Sequence, residues 1–298
     1  MFRSYLTRIL VLLPLILPSG LLFQAAGGDG TPAPEPVVFV GAGDIASCYD
    51  DNDEATARLL DDIDGTVFTL GDNAYDHGSA NNFASCYDPT WGRHRDRTRP
   101  VPGNHDYSTP GAEGYFLYFG EAAGDPARGY YAYDLGAWRI IALNTNCAEI
   151  LGCDERSAQM TWLADELAAN PTRCTLAYGH HPHFSSGEHG GEADLTEMWD
   201  LLDRSGVDVI LGGHDHIYER FAPQDAWGNA NPEGIRQFVV GTGGAPLYEV
   251  GAPQPNSEAS SDEAFGVLKL TLHEDRYEWA FVPIAGDVFT DTGSAGCH

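Results

Sequence analysis

Five short clusters in this sequence join glycine to side chains that bind metal ions or move protons. They are Gly43-Asp44, Gly71-Asp72-Asn73-Ala74-Tyr75, Gly103-Asn104-His105-Asp106, Gly179-His180-His181-Pro182 and Gly212-Gly213-His214-Asp215-His216. Carboxylate, amide and phenol oxygens are hard donors and imidazole is a versatile one, so the set suits metal ions that activate water. Singly, each has an ordinary explanation. Asp44 and Asp72 could cap a helix or form a turn, His180 could be a satisfied loop histidine, Asn104 could turn with Gly103, and Tyr75 could simply pack. His214 and His216 are less easily dismissed, because two histidines at i and i+2 behind two glycines make a good metal bite.

The elements that must position these clusters are strands. Pro36 to Val40, Thr66 to Leu70, Thr175 to Tyr178 and Val207 to Leu211 are short runs rich in β-branched and apolar residues, and each leads into one of the clusters. Between them, helical patterns run from Glu54 to Ile63, from Ser157 to Ala169 and from Leu195 to Arg204, the last with Asp194 and Glu197 at capping-box spacing. Tyr130 to Leu135 and Trp138 to Leu143 read as strands around Gly136, and further strands are expected around Phe238, Val267 to Leu272 and Tyr277 to Val282. The alternation predicts an α/β fold. In open α/β sheets, ligands collect beyond the carboxyl ends of the strands, where loops far apart in sequence converge.

The order and content of the clusters, above all Gly-Asn-His-Asp and Gly-His-Asp-His-Ile-Tyr-Glu-Arg, closely resemble the calcineurin-like metallophosphoesterases over roughly Asp44 to Arg220. Within them, the purple acid phosphatase family is the nearest match. Many metallophosphoesterases place His two residues after the first Asp; here that position is Ala46, which cannot bind metal. The purple enzymes instead use a tyrosinate three residues after the second Asp, and Tyr75 stands there. Protein serine/threonine phosphatases carry Asp-Arg-Gly and Gly-Asn-His-Glu, and both are missing here.

The resemblance implies a fold of two packed mixed β-sheets flanked by helices. It implies that Asp44, Asp72, Tyr75 and His216 hold Fe(III), with Asp72 bridging to a divalent Zn, Fe or Mn held by Asn104, His180 and His214. His181 is the rival of His180, and His183 has no assigned role. His105 is implied as substrate contact and general acid with Asp106 orienting it, and His189 as a second substrate-side histidine. Gly241 to Gly244 matches the family's glycine loop near the site. Only a short linker precedes the first strand, so the chain resembles the short, single-domain type. The activity implied is hydrolysis of phosphate monoesters by a metal-activated hydroxide. Two other readings stay open: a phosphodiesterase or nucleotide hydrolase on the same scaffold, and a non-catalytic metal- or phosphate-binding protein.

Composition sets the boundaries. The 298 residues carry 44 Asp plus Glu against 16 Lys plus Arg, a formal charge of −28. No broad basic face is available to displace phosphate counterions, so nucleic-acid binding is not expected. A small phosphate ester is the expected partner, since bound cations would reverse the local field. Arg3 and Arg8, the apolar run Ile9 to Leu17 and the small residues Ala25, Ala26 and Gly27 read as a secretory signal over residues 1–27, followed by a linker over 28–36 and one domain over 37–298. A secreted or periplasmic location without stable membrane association is expected. Six cysteines lie beyond the signal, an even number that favours disulfides in an exported chain. Cys147 and Cys153 flank a short loop and could pair; the other pairings and the oligomeric state are open.

Overall fold

The computed structural model describes Met1, Phe2 and Glu35–His298. The expected signal beyond Phe2 and most of the linker therefore lie outside the described residues. Thirteen strands follow in chain order: β1 (Val37–Ala42), β2 (Thr66–Leu70), β3 (Thr98–Val101), β4 (Tyr131–Leu135), β5 (Trp138–Ala142), β6 (Cys174–Tyr178), β7 (Val209–Gly212), β8 (Tyr218–Phe221), β9 (Arg236–Val240), β10 (Ser257–Ser261), β11 (Gly266–Leu272), β12 (Arg276–Pro283) and β13 (Thr292–Gly296). They form two mixed sheets, ordered β13-β12-β11-β1-β2-β3 and β10-β8-β9-β7-β6-β5-β4. The parallel runs are β1-β2-β3 in the first sheet and β5-β6-β7-β9 in the second.

Period-two alternation explains how the sheets stack. On β6, Cys174, Leu176 and Tyr178 share one core with Phe39 and Phe68 of the opposite sheet. The Tyr178 ring lies 5.7 Å from that of Phe39. The intervening Ala177 faces the other way, into a cluster with Met160 and Leu163 of helix Ala158–Ala169 and with Met198 and Trp199 of helix Thr196–Arg204. Helix Asn52–Asp61 buries Ala57 and Leu60 in the core that includes the first sheet. The expected fold of two mixed sheets flanked by helices is thus the one observed.

Two local expectations are corrected. The sequence pattern omits β3 because Pro100 interrupts it. β3 pairs only with β2 at the sheet edge, where a missing N–H costs no central ladder bond, and the Pro100 carbonyl accepts the hydroxyls of Tyr115 at 3.0 Å and Tyr131 at 2.7 Å. The second concerns the Asp194/Glu197 capping box. A single 3-10 turn, Ala193–Leu195, shifts the helix start to Thr196, and Glu197 instead accepts the backbone N–H of Glu155 at 2.7 Å.

Helix Ala158–Ala169, by contrast, carries a side-chain cap at its start. Ser157 is extended and its hydroxyl accepts the Met160 N–H at 3.2 Å. Ser157→Ala is expected to lower the unfolding free energy by about 1 kcal/mol, read as a shifted denaturant midpoint with an unchanged slope.

The six cysteines pair as Cys48–Cys86, Cys147–Cys153 and Cys174–Cys297. The last joins β6 of one sheet to the residue after β13 of the other. No helix among the described residues is long and apolar enough to cross a membrane.

Candidate metal centre

The carboxyl ends of β1, β2, β3, β6 and β7 gather all five clusters at one edge of the stacked sheets. Three of the expected ligands leave their strands through left-handed backbone: Asp44 at φ 59°, Asp72 at φ 48° and His214 at φ 68°. Such a conformation costs a non-glycine residue about 1 kcal/mol or more. It persists because the loops interlock. The Asp44 N–H donates to Gly71 O at 3.1 Å and the Ile45 N–H to Asp72 O at 3.0 Å. The Asp44 carboxylate accepts the His214 N–H at 2.9 Å. Gly241 to Gly244 closes the edge, with the Gly243 N–H on Gly43 O and the Ala245 N–H on Asp44 O, both at 2.9 Å. Gly103 is required by close approach, since a Cβ there would overlap the Asp72 backbone.

The donors fall into two groups that share one atom. Tyr75 Oη lies 3.1 Å from Asp44 Oδ1, 3.2 Å from Asp72 Oδ2 and 3.1 Å from His216 Nε2. His180 Nε2 lies 3.5 Å from that same Asp72 Oδ2, 2.9 Å from Asn104 Oδ1 and 3.2 Å from His214 Nδ1. Both Nε2 atoms are aimed from behind. His180 Nδ1–H donates to Leu70 O and His216 Nδ1–H to Pro246 O, each at 2.7 Å. A carbonyl partner fixes the tautomer and leaves Nε2 free to ligate.

This set fits two cations. Asp44 and Asp72 are 0% and 1% exposed, and among the described residues neither pairs with a Lys or Arg; their only charged partners are histidines. Buried carboxylates with so little positive charge call for cations. The titration behaviour of the cluster shows the same demand. Burial and the Asp44 and Asp72 charges push the Tyr75 phenol far above its ordinary value. Burial alone would strip His180 of its proton, yet the adjacent Asp72 raises it to about 9, and Asp44 likewise holds His216 up against burial. Burial pushes Asp72 upward, but the His180 and His105 charges outweigh it and hold the carboxyl below its usual range. The buried carboxylates thus favour positive charge at the positions that cations would take. Burial and the His180 charge press His181 down to about 3 and His214 to about 2, leaving their lone pairs free.

His181 stays near His180 and His214. Its Nδ1, however, is 2.9 Å from Thr145 Oγ1, whereas His180 Nε2 meets Asp72 and Asn104 directly. His183 is buried elsewhere, with its two ring nitrogens on the carbonyls of Glu192 and Ala226 at 2.8 and 2.9 Å, a structural strap between loops.

His105 rests its ring 4.6 Å from that of Tyr75, with Nε2 3.9 Å from Asp72 Oδ2. The group that orients it is the Asp76 carbonyl, 2.6 Å from Nδ1, and this corrects the role expected for Asp106. The Asp106 carboxylate is fully buried and accepts the N–H of Gly103 at 2.9 Å, the N–H of Asn73 at 3.3 Å and the Asn73 amide at 2.8 Å. It braces the Gly103 turn against the Asp72 loop. Burial and the Asp72 charge raise its carboxyl to about 7.

His189 is brought into the site: its ring stacks on His214 at 4.4 Å. Two residues that no motif singles out belong here as well. Tyr248 lies flat on His216 at 4.0 Å. Thr145 Oγ1 accepts the N–H groups of His180 and His181 at 3.1 and 2.9 Å. Both come from segments without a motif, so only the fold reveals them. A cavity of about 430 Å³ opens beside Asn104 and His181, with Tyr107, Asn146 and Glu149 in its wall.

Comparison with known proteins agrees with this fold. The family model described as calcineurin-like phosphoesterase matches residues 37–218. Purple acid phosphatase 18 of Arabidopsis thaliana is 26% identical over 91% of this chain and 66% of its own length. Probable inactive purple acid phosphatase 1 of the same plant is 27% identical over 76% of this chain and 43% of its own. The chain thus spans two thirds or less of these relatives. A purple acid phosphatase from yellow lupin (Lupinus luteus) seeds shares the fold with a TM-score of 0.68 at 21% identity, covering 87% of this chain and 53% of that one.

Proposed function

The chain belongs to the calcineurin-like phosphoesterases, and from that premise we propose that it is a secreted acid phosphatase that hydrolyses small phosphate monoesters at an Fe(III)–M(II) centre. The observation that carries this reading is the sharing of Asp72 Oδ2 between two complete donor groups. Asp44, Asp72, Tyr75 and His216 would hold the trivalent ion, for which a phenolate is a suitably hard donor. Asp72, Asn104, His180 and His214 would hold Zn, Fe or Mn in the divalent state. Bound there, the ions supply Lewis acidity toward water and toward the phosphoryl oxygens.

The chain's own groups do the rest. With Nδ1–H fixed on Asp76 O, His105 in its charged form has one proton to give, at Nε2. Delivered to the departing alkoxide, that proton leaves a neutral ring still anchored at Nδ1. His189 beside His214 is placed to meet a phosphoryl oxygen, and the cavity beside Asn104 takes the alcohol portion of the ester. Export is supported by Arg3, Arg8 and the apolar run that follows, and by three disulfides, which suit an oxidising compartment.

The names of relatives called probable inactive raise the non-catalytic reading. The complete, converging donor set supports catalysis instead. The test is purified protein. Two ions per chain are expected, with a visible tyrosinate-to-iron band that vanishes in Tyr75→Phe, and a monoester should turn over faster than its matched diester. Full activity in a colourless two-zinc protein would remove iron from the proposal. A clear diester preference would remove the monoesterase assignment.

A further inference from the structure

Asp215 sits between two expected ligands, yet its carboxylate points away from both donor groups. It is completely buried and pairs with no Lys, Arg or His among the described residues. Three donors reach it, all from one loop: the Ser185 hydroxyl, the His189 N–H at 2.8 Å and the Gly190 N–H at 3.1 Å. Four residues on, the equally buried Glu219 accepts the N–H of Ser186 at 2.8 Å and its hydroxyl at 2.6 Å. A second hydroxyl, from Ser257, reaches Glu219 at 2.6 Å. Two buried carboxylates therefore grip adjacent residues at the base of the loop that carries His189. Gly187 lets that loop close down, since a Cβ there would lie 2.6 Å from Asp215 Oδ1.

Burying a charge against neutral donors alone is a costly arrangement. Only a carboxylate suits this position. Asn would offer one acceptor oxygen and turn an NH₂ group toward the remaining N–H and O–H donors. What the arrangement accomplishes is visible at the loop's tip. His189 is exposed and among the described residues its side chain makes no hydrogen bond, yet its ring lies parallel to His214 within 24°. Its backbone N–H on Asp215 is the fixed point behind that pose.

We propose that Asp215, backed by Glu219, is a positioning residue that sets His189 in the active site. This rests on the reading above that His189 meets the substrate's phosphoryl group.

The experiment uses the metal-loaded full chain as wild type, Asp215→Asn and Gly187→Ala, each with and without His189→Ala. Asp215→Asn is expected to lower kcat/KM by about 10- to 100-fold, the scale of a small misplacement of a working group. Two ions per chain and the Tyr75 band should persist, and His189→Ala in the same chain should add no further loss. Gly187→Ala displaces the loop while leaving the carboxylate intact; it should give the same loss and the same non-additivity, and it decides the matter if Asp215→Asn fails to fold. Additive losses, a neutral His189→Ala, an undiminished kcat/KM, or loss of metal in Asp215→Asn would overturn the proposal. Amide exchange over residues 185–190 is read independently of turnover. Unchanged exchange in Asp215→Asn would overturn the anchor whatever the substrate. A wild type inactive on phosphate esters with accelerated loop exchange in Asp215→Asn would instead overturn the reading of function.

Discussion

Asp72→Asn is expected to leave the protein folded, with at most one ion per chain and with kcat/KM reduced by at least about 10³-fold. Asp72 Oδ2 is the one atom common to both donor groups, 3.2 Å from Tyr75 Oη and 3.5 Å from His180 Nε2. Its other oxygen accepts the His105 N–H at 2.8 Å, which fixes the carboxylate's rotation. Asn keeps the shape but has a single acceptor oxygen. If that oxygen turns to the His105 N–H, an NH₂ group faces both ions; if it turns to the ions, an NH₂ group meets an N–H. The backbone is no obstacle, because Asn tolerates the left-handed conformation found at Asp72, φ 48°. A loss of function in this variant therefore reports on the centre and not on unfolding. Metal analysis of the purified variant beside an activity assay checks it. Two retained ions with activity within tenfold of wild type would show that Asp72 does not bridge.

Much of this site was legible because strand exits impose a local rule. A short apolar run, a glycine and then a ligand-type side chain marks the place where a chain leaves a parallel sheet, and Gly71-Asp72 and Gly213-His214 follow that rule in both sequence and structure. Asn104 obeyed it too, although its own strand was hidden by Pro100, which only an edge position allows. What stayed hidden depends on contacts across long stretches of chain. Asp76 offers His105 a backbone carbonyl, a group that every residue possesses and no motif marks. Tyr248 reaches His216 through a loop without regular structure. Asp106 adjoins His105 in sequence, but the short helix Asn104–Tyr107 sends the two side chains in different directions, one into the core and one toward the site. Proximity along the chain suggested a dyad that helical geometry forbids. The cysteines divide in the same way: the bridge across Cys147 and Cys153 is local, whereas the one from Cys174 to Cys297 exists only because the two sheets stack.

His105→Ala should separate proton delivery from metal binding. The anchors of His180 on Leu70 O, of His216 on Pro246 O and of the His214 N–H on Asp44 do not involve the side chain removed. The backbone N–H that anchors Asp72 remains, so two ions and a retained Tyr75 band are expected. Turnover should fall by about 10²–10⁴-fold, the usual contribution of a positioned general acid. The loss should depend on the ester. An alkyl phosphate expels a strongly basic alkoxide and needs the Nε2 proton in the transition state; an aryl phosphate with an acidic phenol expels a stable anion and needs it far less. The mutant should therefore be crippled on the first and only mildly impaired on the second, and kcat should carry the difference because the proton matters only as the bond breaks. Comparing kcat for a matched alkyl and aryl pair in both proteins checks this. Equal losses on the two esters would mean that His105 binds the phosphoryl group and donates nothing. In that case the proton would have to come from another group near the leaving oxygen, and His189, the other expected histidine whose ring lies exposed at the site, is the first to test.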